Sequence, residues 1–250
     1  MPPRIPTQSD FTPLPLHTTL HFPSPPESTT TFLILLHGLG DSDVPFAAFA
    51  RNLSLPGVLS ISVRGTSPLA PSLLGLPGDH YHWGDDLQLD PETGHLDADP
   101  GFGKAAGLVA EGLVRGVLVD KCGWEMADIL IFGFGQGGSL ALGLAARLAN
   151  ERVVDVSASG RGRPAGREFK GVVSIGGGLP MSMVSSRSAR EKSDTHVLLC
   201  QVSAEEEDLV KREFRNVSVV RWKRKEVGMP RDREEMLPIM KFFADRLRGG

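Results

Sequence analysis

Runs of leucine and β-branched residues recur along the chain, separated by stretches in which apolar residues return every three or four positions. The runs predict strands at TTLHF (18–22), FLILLH (32–37), VLSISV (58–63), DILIF (128–132), KGVVSI (170–175), HVLLCQV (196–202) and VSVVRW (217–222). Several are apolar at nearly every position, the pattern of a strand whose two faces both avoid water. Helix-period segments lie between them. PFAAFARNLSL places Pro45 in a first turn after Asp43, and the segment from Pro100 to Asp120, after Asp99, repeats Ala106, Val109, Leu113 and Val117. Residues 138–149 (GSLALGLAARLA) and 238–247 (PIMKFFADRL) read as further helices. Strands alternating with helices predict an α/β fold, a mostly parallel sheet of about seven strands with helices on both faces.

Two stretches break the alternation. Residues 65–100 form a long excursion rich in Gly, Pro and Asp, and a loop of that length in a compact domain is often functional. Residues 150–168 (NERVVDVSASGRGRPAGRE) read as a flexible basic insertion. The first sixteen residues hold five prolines and predict an extended or unstructured arm, leaving 17–250 as a single domain. The arm has no apolar h-region, so no secretory signal is expected, and no apolar run approaches the roughly 18–20 residues of a membrane span. A net charge of −3 implies no general attraction to nucleic acid or to an acidic membrane. Cys122 and Cys200, the only cysteines, make no disulfide framework and point to a reducing, cytoplasmic setting.

The densest chemical signal is Ile131-Phe132-Gly133-Phe134-Gly135-Gln136-Gly137-Gly138-Ser139, a strand entering a glycine cluster and then a helix. One reading is nucleotide binding: Gly133, Gly135 and Gly138 fit G-x-G-x-x-G, and Asp155 falls 20 residues after Gly135, where a ribose-binding acid could sit. The unit is mid-chain and Asp155 borders the insertion, which ranks this reading second. The other is a nucleophile elbow, G-x-S-x-G, in the frame Gly133-Phe134-Gly135-Gln136-Gly137, with glycine at the serine seat.

LLHGLGDS (35–42), HWGDD (82–86), GFGQGG (133–138) and GMPRDREEMLPIMKFFADRL (228–247) follow one another in an order and at spacings that resemble the acyl-protein thioesterase/carboxylesterase (phospholipase/carboxylesterase) family, as a divergent, fungal-type member. The resemblance covers roughly residues 18–248. It implies an α/β-hydrolase fold and cleavage of acyl esters or thioesters by a Ser-Asp-His triad without a cofactor. It also implies a small acyl, lipid or anionic ligand as partner, and no nucleic acid.

Carried over position by position, the resemblance puts Gly135 at the nucleophile seat, Glu205 (in Gln201-Val202-Ser203-Ala204-Glu205) at the acid seat and Arg231 (in Gly228-Met229-Pro230-Arg231) at the base seat. Glycine has no atom to attack with, and removing the nucleophile of a serine hydrolase costs about a million-fold in kcat. A guanidinium stays protonated and cannot serve as general base. The oxyanion hole is implied at the backbone N–H groups of Leu39 and Gln136, which need no side chain, and Trp83 is implied as a pocket-lining residue. The resulting expectation is a catalytically impaired or non-catalytic acyl- or anion-binding homologue. An active esterase with a displaced nucleophile is the alternative, beside nucleotide binding through Gly133–Gly138.

The remaining candidates have plain readings. Ser139 lies one helical turn past the elbow and reads as packing. Cys200 and His196 share a strand face and could form a nucleophilic pair, yet a strand cysteine is commonly a small buried hydrophobe. His80 and His82, near Asp79, Asp85 and Asp86, are poorly spaced for zinc, so no metal is expected. His37 reads as a loop anchor, and Arg221–Lys225 (RWKRK) as a solvated strand end. Arg231 suits bidentate binding of a carboxylate or phosphate, or else pairs with Asp232, Glu205 or another surface acid.

Overall fold

A computed structural model describes residues 3–69, 78–87, 96–97, 99–150 (side chains to 148), 168–184 and 192–248. Seven strands form one sheet in the order β1-β3-β2-β6-β7-β8-β9. They are β1 (Thr18–His21), β2 (Thr31–Leu36), β3 (Val58–Val63), β6 (Ile129–Phe134), β7 (Gly171–Ile175), β8 (Ser193–Cys200) and β9 (Phe214–Val220). Only β1 runs antiparallel to its neighbour. A short hairpin, β4 (Ser67–Leu69) with β5 (His80–His82), stands within the 65–100 excursion.

The continuous apolar runs have their cause in the layering. Phe32, Ile34 and Leu36 of β2 join a core on one face of the sheet, while Leu33 and Leu35 join a second core on the other. The first core takes in Val109, Leu113 and Val117 of α3, which runs α-helically from Gly103 to Ala106 and then winds as a π-helix from Gly107 to Lys121. Its buried residues fall in pairs, 109–110, 113–114 and 117–118. The second core takes in α2 (Asp43–Leu53) and α6 (Arg233–Leu247). The helix α4 (Gln136–Asn150) follows β6 directly.

Three expectations change. The C-terminal helix begins at Arg233, five residues before Pro238, because the Asp232 carboxylate caps it by accepting the Glu235 N–H at 2.9 Å. An unforeseen helix, α5 (Ala204–Glu213), precedes β9; it buries only Val210 and so shows no apolar stripe. Its sequence signal was the capping box, in which Ser203 N–H donates to Glu206 Oε2 (2.8 Å) and Glu206 N–H donates to Ser203 Oγ (3.2 Å). The arm, third, is not a free extension. Residues Gln8–Phe11 form a helical turn, α1, and Phe11 and Leu16 are buried in the first core. Their burial supplies the apolar gain that a proline-rich segment otherwise lacks. Residues 151–167 of the expected insertion, with Asp155, lie outside the described residues.

Polar contacts fasten the arm. Arg4 N–H donates to Cys122 O (2.9 Å) and Trp124 Nε1–H to Arg4 O (2.7 Å). The buried Asp10 carboxylate accepts from both terminal nitrogens of Arg4 (2.9 and 2.8 Å) and pairs with Lys121 (2.9 Å). The hydrogen bonds from Arg4 hold the Asp10 carboxyl far below the usual carboxylate range, against the opposing effect of burial. A carboxyl depressed in the folded state stabilises it fully above its unfolded pKa of about 3.9, and that stability is lost as pH falls further. Protection of residues 4–16 against amide hydrogen exchange is therefore expected to fall below about pH 4 before that of the sheet amides, and Asp10→Asn should reproduce the effect at pH 7. Equal protection of arm and sheet at pH 3 would contradict this.

Candidate functional site

The strand β6 lies between β2 and β7, and the chain passes from it to α4 through one residue, Gly135. Its φ of +51° is left-handed, a conformation costly to residues with a Cβ. The turn is fixed by Gly135 N–H donating to Ile175 O (2.8 Å) and Ser139 N–H donating to Gly135 O (3.0 Å). The flanking Gly133 has no room for a side chain, since a Cβ there would run into the backbone of Gly137 and Gly138. Gly135 differs: a Cβ would find nothing nearer than Gly38 Cα, at 3.8 Å. The turn therefore has space for a side chain at Gly135, the position expected as the nucleophile seat, and glycine supplies none.

The loop after β2 closes one side. His37 is fully buried; its Nε2 accepts the Gly65 N–H (2.8 Å), so Nδ1 carries the proton and donates to Gly38 O (2.7 Å). Burial pushes its pKa down and keeps the ring neutral, the state of an anchor. Trp83 Nε1–H donates to His37 O (2.8 Å), and Trp83 N–H donates to Gln136 Oε1 (2.7 Å). Gly40 N–H donates to Tyr81 O (2.9 Å), and His80 Nδ1 donates to Gly40 O (2.7 Å). The HGLGD loop, strand β5 and the first residue of α4 are thus laced together. Trp83 is 0% exposed and anchors this lacing. Leu39 follows Gly38, the residue whose Cα faces Gly135. Gln136 begins α4, where the first amides have no intrahelical acceptor.

The two other positions expected as triad seats are dispersed. Glu205 is exposed in the first turn of α5. Its neighbour Glu206, which the motif reading passed over, packs its carboxylate on Gly178, in the loop after β7 whose Gly177 abuts Gly135 O. The Arg231 side chain is 64% exposed and pairs with Glu226 (3.2 Å), while its N–H donates to Glu235 Oε2 (2.8 Å). Of the two readings of Arg231, the surface pair is the one formed.

Arg224, expected within a solvated strand end, is the largest miss. Its guanidinium stacks over Trp222 (4.7 Å) and bonds Glu235 with Nε (2.8 Å) and Nη2 (3.2 Å). It also donates to the carbonyls of Glu226 (2.9 Å), Gly228 (3.0 Å) and Met229 (2.9 Å). Those carbonyls belong to the loop whose Val227 rests on Gly176, beside the elbow. Arg224 also holds the Glu235 carboxyl below its ordinary value. Arg221 and Lys223 do form surface pairs, with Glu207 and Glu234.

The remaining candidates hold no activated group. Burial pushes the Cys200 thiol up to about 12 and lowers the pKa of His196, so the pair offers neither thiolate nor imidazolium. Ser139 is buried against the turn. Among the described residues, no three His, Cys, Asp or Glu side chains gather as a metal site, and no helix is long and apolar enough to cross a membrane.

Known proteins resemble this chain in sequence and in fold. An uncharacterised hydrolase of Schizosaccharomyces pombe is 29% identical over 224 residues, covering 86% of this chain and 83% of its own. The structure resembles acyl-protein thioesterase 2 of Zea mays with a TM-score of 0.62 at 21% identity, covering 92% of this chain and 99% of that one. It resembles esterase PE8 with a TM-score of 0.64 at 16% identity, covering 92% and 98%. At such identities the likeness is one of fold, the α/β-hydrolase fold. The profile of the Phospholipase/Carboxylesterase family matches residues 18–219, most of the chain and both loops of the elbow. The chain belongs to the phospholipase/carboxylesterase family.

Proposed function

We propose that this protein is a non-catalytic homologue of the family's esterases and thioesterases that binds a small acyl, lipid or otherwise anionic ligand at the vacated elbow. The observation that carries the reading is Gly135, which keeps the left-handed elbow backbone and supplies no attacking atom. The amides of Leu39 and Gln136 make the oxyanion-type contacts, and the dipole of the fifteen-residue α4 adds to them. Arg231, engaged with Glu226, is left out of the anion site. No cofactor takes part. The two buried free cysteines support a cytoplasmic setting.

A fluorophosphonate probe tests the reading, because it marks any serine or cysteine activated for acyl transfer. No covalent adduct is expected on the wild-type chain. Stoichiometric labelling would overturn the proposal in favour of a displaced nucleophile. Saturable binding of NAD(P) would instead favour the nucleotide reading of Gly133–Gly138.

A further inference from the structure

We infer that the cleft between β1, β3 and the end of α2 is a second binding site, suited to an uncharged, flat-ring compound with a hydrogen-bonding edge. The cleft measures about 620 Å³, within the range of small-molecule sites. It lies at the opposite end of the sheet from the elbow. Thr31 pairs with Val58, which lines the cleft, and Leu36 pairs with Gly133, so five strand residues, about 16 Å, separate the two ends.

The cleft results from small residues where a packed face would carry large ones. Ser60 sits on the α2 side of β3, opposite His21 on β1 and Leu33 on β2. Ala50 of α2 faces the same space, where a larger side chain would close it. Ser60 is only 4% exposed, yet its hydroxyl makes no hydrogen bond among the described residues. The His21 ring, also on the wall, likewise makes none among them. Ser60 Oγ is not among the described polar atoms sealed from solvent without a partner, so it opens onto the cleft beside the half-buried His21 ring, and the two present a hydrogen-bonding edge to it.

The walls define the rest of the ligand. Phe22, Leu55 and Pro56 are flat or apolar, and among the described residues no Asp, Glu, Lys or Arg lines the cleft. A charged ligand would surrender its hydration with no opposite charge to replace it, so the site selects for neutrality. Ser54, on the rim, is the left-handed C-cap that ends α2.

Matched neutral and acidic probes test the inference on the full-length, ¹⁵N-labelled protein: benzamide against benzoate, and uracil against orotate. Benzamide or uracil is expected to give saturable amide shifts at His21, Ser54, Gly57 and Ser60, with the matching acid at least tenfold weaker. Ser60→Ala should weaken binding about fivefold, the worth of one hydrogen bond. Ser62→Ala, two residues along the strand with its hydroxyl sealed from solvent, should leave it unchanged. The inference is overturned if neither neutral probe saturates there, if the acids bind equally well, or if the two alanine variants lose the same. Binding should persist in Gly135→Ser, because the site does not depend on the elbow; loss in that variant would move the site to the elbow and overturn the assignment here.

Discussion

Gly135→Ser alone is expected to yield a folded protein without turnover, and Gly135→Ser combined with Arg231→His to raise ester hydrolysis above the single variant by about 10²–10⁴-fold, the typical contribution of a positioned general base. The seat accepts a Cβ without collision, so the single change costs only the left-handed backbone of a residue with a side chain, about 1–2 kcal/mol. Its new hydroxyl has no base, because the groups that could take its proton are committed. His37 uses both ring nitrogens for the loop, and Arg231 is a guanidinium held by Glu226. Histidine at 231 removes that pair and places an imidazole on the loop that Arg224 fixes. The acid to orient it can then be identified by adding Glu205→Gln or Glu206→Gln to the double variant. The carboxylate on Gly178 predicts that Glu206→Gln is the more damaging. Turnover of p-nitrophenyl acetate is the readout. Equal rates for single and double variants would show that position 231 cannot reach the elbow.

Asp43→Ala is expected to cost about 3–5 kcal/mol, the largest single loss of stability anticipated here, and to lower the melting temperature by roughly 10 °C. Asp43 opens α2 directly after the HGLGDS loop and has no exposure to solvent. It accepts from Thr19 Oγ1 (2.9 Å) and Arg64 Nε (2.8 Å) and pairs with His17 Nδ1 (3.2 Å), which joins β1, β3's exit and α2. Burial by itself pushes its pKa up; the hydrogen bonds from Arg64 and Thr19, with the charges of Arg64 and His17, outweigh that and leave it lowered. Alanine removes the acceptor and strands Arg64, whose side chain is 28% exposed, without its carboxylate. Asp43→Asn keeps the shape and one acceptor, so it should lose less. Thermal denaturation followed by circular dichroism reads both; a shift under 3 °C for the alanine variant would refute the role.

What could be read from the residues follows from how burial writes itself into them. The inner strands were legible because β2, β3, β6 and β7 meet a core on both sides, which leaves a run of apolar residues, whereas the edge strands β1 and β9 are only partly buried and showed through their β-branched residues. The helix α5 was not, since its single buried Val210 leaves no periodic trace. Neither was the π-helical winding after Ala106, whose apolar spacing reads equally well as an ordinary helix. The prolines of the arm suggested an extension because composition cannot show that Phe11 and Leu16 find a place in the core. At the site, the elbow and the HGLGD loop were legible as motifs with fixed spacing. Arg224 was hidden in a run of similar cations, since its role depends on which one folds inward over Trp222. Trp83 stood out in its motif, but its hydrogen bonds to Gln136 and to His37 exist only in three dimensions.

The grip of Arg224 has a consequence for how this region tolerates change. Of its partners between residues 226 and 229, every one is a carbonyl oxygen, an atom that all amino acids share. This hold on the loop is therefore independent of the loop's own side chains, and resides in Arg224 and Glu235. Replacement at 226, 227 or 229 leaves those carbonyls available to Arg224, whereas a change at 224 or 235 unsettles all of them at once. A lineage could lose the chemistry of position 231 and later acquire another there, with the supporting strap in place throughout.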